Sequence, residues 1–213
     1  MATIKGLHAF IIKEQFRKAL EAKDYAFFGL TNKKPWNVNI IGVRSEVDIF
    51  NKFDDALLVI YRDSKGNWEV RSYSITTDPG KIWMEKPMNS KGCAILVPDQ
   101  YRSVYKIDGH GKTRYEALCQ RNGNVRVYRD ANLNHEHDRD AGTIDEGSGF
   151  GINIHRSRTT GEAELVNSYS AGCQVFKNTT DFKDFMSLIN KSADRWGNCF
   201  SYTLITEGDL IGY

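Results

Sequence analysis

Residues 56–75, ALLVIYRDSKGNWEVRSYSI, read as two strands and the turn between them. Ala56 to Tyr61 is an unbroken apolar run of strand length, as a buried strand requires. Trp68 to Ile75 alternates large apolar with polar residues, the period-2 pattern of a half-buried strand. Asp63-Ser64-Lys65-Gly66-Asn67 between them supplies turn chemistry, so the pair is a hairpin. Working outward, the same grammar recurs. Trp36–Ile41, Ser90–Val97, Gln100–Ile107, Tyr115–Gln120, Asn124–Tyr128 and Cys199–Ile205 are short strand-like runs, with turns at Gly109-His110-Gly111 and Arg121-Asn122-Gly123. Two stretches break the pattern with helical spacing. Lys13–Phe28 carries Phe16, Ala19 and Leu20 among alternating charges. Thr179-Thr180-Asp181 offers N-caps for a second helix running through Phe182, Phe185, Met186 and Ile189 to a stop at Gly197. The expected class is therefore mainly β with one helix near each end. The expected division is an N-terminal extension over residues 1–52 and a main domain over 53–213.

Composition narrows the function. A net charge of +2, with lysine and arginine scattered, provides no basic field for nucleic acid. No run approaches the roughly twenty apolar residues of a membrane helix, so no membrane insertion is expected. The opening MATIKGLHAFIIKEQF gains charge too early for a secretory signal, which predicts synthesis in the cytoplasm. The four cysteines, at 93, 119, 173 and 199, form no C-x-x-C pair, which argues against a thiolate zinc site. Asp130 to Asn134 begins like a calcium loop, but His135 stands where its glycine belongs and Ala141 where its glutamate belongs. His135, His137, Asp138 and Asp140 remain a weaker metal candidate beside a solvated acidic loop. No cofactor is expected.

The chemistry concentrates in residues 149–176, GFGINIHRSRTTGEAELVNSYSAGCQVF. Phe150 to His155 reads as a strand ending on a histidine, Arg156 to Glu164 as an exposed loop, and Ser170-Ala171-Gly172 as a tight approach to Cys173. An imidazole within reach of a thiol takes its proton and later returns it to a leaving amine, so His155 and Cys173 form a candidate dyad. Cys93, in a second Gly-Cys pair, is a rival nucleophile, but the apolar run after it suits a core strand. His110, between two glycines, reads as a solvent-facing turn residue.

Strand, histidine, loop and Ser-x-Gly-Cys in this order resemble the catalytic motif of the L,D-transpeptidase (YkuD-type) cysteine enzymes of peptidoglycan. In that family a strand-terminal histidine precedes a Ser/Thr-His-Gly-Cys run by a similar distance. The resemblance implies a β-rich, sandwich-like catalytic domain with Cys173 as nucleophile and His155 as its base. It also implies oxyanion-hole amides around Gly172, a backbone carbonyl near Arg156 that orients the imidazole, a turn shaped by Ser170, and substrate contacts from Ser170, Gln174 and Asn153. Peptidoglycan stem peptides are the implied partner. Two departures stand out: Ala171 replaces the family's usual histidine, and Gln174-Val175 replaces an apolar residue followed by Arg or Asn. The Ser170-Ala171-Gly172-Cys173-Gln174 variant resembles phage-encoded relatives, and with no leader expected it implies delivery to the wall by lysis or by a virion. The alternatives are a wall-binding or structural module on the same fold, and an unrelated cysteine amidase or peptidase.

Overall fold

The computed structural model describes residues 2–213. It opens with β1 (Ala2–Ile4), α1 (Gly6–Glu21) and β2 (Asn39–Arg44), followed by the hairpin β3 (Asp55–Arg62) and β4 (Trp68–Thr76). A short α2 (Lys81–Glu85) leads to β5 (Cys93–Leu96), β6 (Asp99–His110), β7 (Tyr115–Gln120), β8 (Val125–Asp130) and β9 (Asp145–Gly147). The site segment contributes β10 (Ile154–Arg156) and β11 (Gln174–Phe176), and α3 (Thr179–Trp196) and β12 (Phe200–Thr206) follow. The protein is mainly β with a few helices, 34% strand and 22% helix.

Among the described residues, nine strands form one sheet in the order β1-β4-β11-β10-β7-β6-β12-β2-β3. A further β3–β4 pairing closes it into a barrel-like ring, and β5, β8 and β9 form a smaller second sheet. The hairpin is the most extended pairing, in register from Asp55 opposite Ile75 to Arg62 opposite Trp68. Its apolar run is explained by burial on both faces. Leu57, Val59 and Tyr61 join one core cluster, which includes Tyr73, Phe176 and the α3 residues Phe182, Phe185 and Ile189. Leu58 and Ile60 join another, built with Ala9, Phe16 and Leu20 of α1. A strand covered on both sides loses the apolar-polar alternation that a half-solvated strand keeps. β2 lies between β12 and β3, so the expected boundary at 52/53 falls between two hydrogen-bonded neighbours of one sheet.

Both long helices differ in detail from expectation. α1 starts seven residues earlier than the spacing suggested and stops at Glu21. Ala26 and Phe28, expected in it, instead donate their amides to Gln100 Oε1 at 2.9 Å and Asn39 Oδ1 at 2.7 Å. The cap of α3 is Asn178, one residue before the expected threonines, whose side chain accepts from the Thr180 and Asp181 amides. Gly197 ends that helix, as expected, with φ +89° and ψ 160°, a conformation open to glycine.

Candidate active site

The parallel pairing of β10 with β11 sets Ile154 opposite Gln174 and His155 opposite Val175. The Gln174 amide donates to the Asn153 carbonyl at 2.9 Å, which carries the register back to Asn153 beside Cys173. Alternate residues share a face, so Asn153, His155 and Cys173 project from one side of the ladder. His155 and Cys173 are then one strand spacing, about 4.8 Å, and two residues of rise, about 6.6 Å, apart along the backbone.

The imidazole is fixed by its own chain. His155 Nδ1 lies 2.8 Å from the Arg156 carbonyl, which can only accept, so Nδ1 carries the proton and the Nε2 lone pair is available as a base. This is the carbonyl expected to orient the ring. The Tyr115 hydroxyl lies 3.4 Å from the same nitrogen, and the Arg156 guanidinium stacks on the Tyr115 ring at 4.1 Å. On its face His155 meets His110, with ring centroids 4.1 Å apart and planes within 22°. His110 is not the solvent-facing turn residue expected. It closes β6 opposite Tyr115 and accepts from Asn153 Nδ2 at 3.1 Å through Nδ1. Burial and the neighbouring His110 push the His155 pKa down to about 3, and burial with Arg121 lowers that of His110. Both rings are neutral at pH 7.

The thiol is equally un-ionised. Cys173 Sγ donates to the Gly151 carbonyl at 3.4 Å and receives the Asn153 amide at 3.4 Å. Burial pushes it up to about 11, against the pull of that amide. Among the described residues these two main-chain groups are the sulfur's hydrogen-bond partners, and no hydrogen bond joins it to His155. The sequence therefore brings the two groups to one face of adjacent strands, and the resting geometry keeps them as separate neutral groups.

The turn before Cys173 is shaped by Ser170 and Gly172. Gly172 sits at φ +118°, and a Cβ there would fall 2.3 Å from the Ala94 carbonyl of β5, so only glycine allows this approach. Its amide donates to Ser170 Oγ at 3.1 Å, and Ser170 Oγ donates to the Cys173 carbonyl at 2.8 Å. Of the expected oxyanion-hole amides, that of Gly172 is thus spent inside the turn. Ser170 and Gln174 are both fully buried, so their expected substrate contacts are replaced by internal ones. Gln174 accepts from the Tyr202 hydroxyl at 2.8 Å. Asn153 is also buried and is a brace, its Oδ1 taking the Gln120 amide at 2.9 Å. The rival Cys93 lies in β5, 4% exposed, with burial pushing its thiol up to about 12.

A second ionisable cluster lies behind this turn. His137 Nδ1 donates to Asp48 at 2.8 Å and Nε2 to the Pro79 carbonyl at 2.9 Å, so the ring is a cation, and its pKa is raised by these partners against burial. Arg139 Nη2 bridges Asp48 at 3.1 Å and Asp78 at 3.0 Å. Asp48, Asp78 and His137 are close enough to ligate one ion, but His137 has no free lone pair and Arg139 already bridges the carboxylates. The other expected metal ligands disperse: His135 faces Glu85 at 3.3 Å, Asp138 accepts from Asn132, and Asp140 accepts the Gly142 amide at 2.8 Å.

No protein-family model matches this chain, and no curated protein or solved structure matches it. No helix among the described residues is long and apolar enough to cross a membrane.

Proposed function

We propose that the chain is a cysteine-dependent acyl-transfer enzyme acting on peptidoglycan stem peptides at the bacterial wall, reached by lysis or from a virion. The observation that carries the reading is the 2.8 Å contact from His155 Nδ1 to the Arg156 carbonyl. It leaves Nε2 as the basic nitrogen on the face that also bears Cys173. With both groups neutral, proton transfer accompanies attack. Nε2 takes the thiol proton as sulfur bonds to the carbonyl carbon between the diamino-acid residue and the following D-residue. Collapse of the tetrahedral oxyanion breaks the C–N bond, and the leaving amine takes the proton from Nε2. Water or an amine then attacks the thioester, gives a proton to Nε2, and the thiol is restored as sulfur leaves. Water gives hydrolysis, which suits an enzyme that breaches a wall, and an amine gives exchange or a cross-link.

A second reading, a wall-binding or structural module with little catalysis, is favoured by one observation: a thiol pushed up to about 11 holds no appreciable thiolate at neutral pH. Mass spectrometry of purified muropeptides incubated with the protein separates the two. Loss of a terminal D-amino acid or of a cross-link, absent with Cys173→Ala, supports the enzyme. Unaltered muropeptides that nonetheless co-sediment with folded protein support the module.

A further inference from the structure

Beside the Cys173 turn lies a cleft of about 210 Å³ walled by Trp83, Met88, Ala94, Arg129, Phe150 and Ala171. Its walls are continuous with the residues that touch the sulfur. Gly149 and Phe150 lead into Gly151 and Asn153, the two sulfur partners, and Ala171 leads into Gly172 and Cys173. The volume lies below the roughly 300–1,000 Å³ of pockets that enclose drug-sized ligands, so it suits a group no larger than one amino-acid residue.

Arg129 is the one charged residue on these walls. Its side chain is 8% exposed, and its guanidinium stacks on the Phe150 ring at 4.7 Å, which sets the plane of its donors. Within the protein it is weakly satisfied. Nε and Nη2 share a single oxygen of Asp145 at 3.4 and 3.3 Å, and Lys91 Nζ claims that same oxygen at 3.2 Å. Nη1 has no protein acceptor among the described residues. Arg129 also borders a neighbouring groove lined by Asp130, Asp138 and Asp140, so its spare donor rather than a net charge marks the cleft. A guanidinium held against an aromatic ring in a half-open cleft, with a donor to spare, matches a carboxylate better than any neutral group.

We infer that this cleft is a carboxylate subsite, in which Arg129 and the apolar walls take the free terminal carboxylate and small side chain of the residue next to the scissile bond. The inference rests on the acyl-transfer reading for what is cleaved, but the binding itself does not. It makes Arg129 a specificity-determining residue and the enzyme a trimmer of chain ends, because an internal peptide bond has no carboxylate to offer there.

The test is a binding titration followed by nuclear magnetic resonance on the Cys173→Ala protein, which removes turnover from the readout. N-acetyl-D-alanine and N-acetyl-D-alaninamide are the probes, and the Trp83 indole and Arg129 Nε signals are the reporters. The expected result is saturable shifts with the acid, on the order of ten-fold weaker binding of the amide, and loss of that preference in Arg129→Met. Arg129→Lys keeps a charge and is expected to retain part of the preference, which separates lost recognition from a misfolded variant. Equal binding of acid and amide, no binding of either, or a preference that survives in folded Arg129→Met would overturn the subsite. Acid-selective binding without any muropeptide turnover by the unaltered chain would keep the subsite and remove the proposed reaction.

Discussion

His155 and His137 are buried to nearly the same degree, 6% and 9% exposed, yet they hold opposite charge states. His155 meets a single carbonyl, a second imidazole and a tyrosine hydroxyl, with no carboxylate, and stays neutral. His137 gives both N–H groups to acceptors, one of them the Asp48 carboxylate, and stays charged. Burial penalises the charged ring in both places, so the partners decide. A neutral ring with one free lone pair is equipped to move a proton. A cation held at both nitrogens is equipped to hold a loop.

The comparison is sharpest in stability against pH. The His155 pKa falls to about 3 on folding from an unfolded value of about 6.5. Between those limits the unfolded chain binds a proton that the folded chain refuses, so stability from this residue rises with pH across that window. The integrated effect is at most on the order of 5 kcal/mol. The His137 pKa is raised, so its contribution is complete below about pH 6.5 and is lost as pH rises through its folded value. Urea denaturation of the wild type, His155→Gln and His137→Gln from pH 4 to 9 is expected to flatten the acid limb in the first variant and the alkaline limb in the second. Identical profiles for the two variants would erase the distinction.

The ionic region is also expected to dominate the cost of truncation. Asp78 is 5% exposed, bonded to Arg139, and within 3.4 Å of the buried Arg44. Asp78→Ala removes one carboxylate from two guanidinium groups, Arg139 keeping Asp48 and Arg44 keeping Thr77 and Leu96, and is expected to lose about 1–3 kcal/mol by chemical denaturation. A loss under 1 kcal/mol would show that water replaces the carboxylate. At the neutral site the expected effect is on reactivity. With its thiol pushed up to about 11, Cys173 should carry a thiolate fraction on the order of 300-fold below that of an ordinary cysteine at pH 7.5. Iodoacetamide labelling followed by peptide mass spectrometry should mark the exposed Cys199 long before Cys173. Fast labelling of Cys173 with an inflection below pH 8 would show that a proton moves to His155 in the free protein. The smallest effect is expected of Tyr115→Phe, under about 1 kcal/mol of stability, because its 3.4 Å contact with Nδ1 only supplements the Arg156 carbonyl.

The hairpin was legible because its signals are local: a turn and two runs of strand length. The second helix was legible because Phe182, Phe185 and Ile189 repeat at helical spacing and face one core. The first helix was displaced because Leu7, Phe10 and Ile11 are apolar and largely exposed, which blurs the stripe that would have marked its start. His155 and its orienting carbonyl were readable from the motif. His110 was not, since glycines on either side mimic a turn while the strand runs on to it, and its meeting with His155 depends on pairing across β6, β7 and β10. Ser170 was read both as shaping the turn and as a substrate contact, and its hydroxyl is used within the turn; Gln174 and Asn153 were read as polar groups for a substrate, but the sheet consumes them. The closure of the sheet left no local mark at all.

That closure has a consequence for how the chain is made. β12 lies between β6 and β2 and is parallel to β2, so residues 200–206 occupy a slot bounded by segments synthesised roughly a hundred residues and more earlier. Until they leave the ribosome, one hydrogen-bonding edge of each neighbour has no partner, and those edges can join another nascent chain. The last strand acts as a keystone, and stopping translation just short of Phe200 should yield not a smaller protein but an aggregating one.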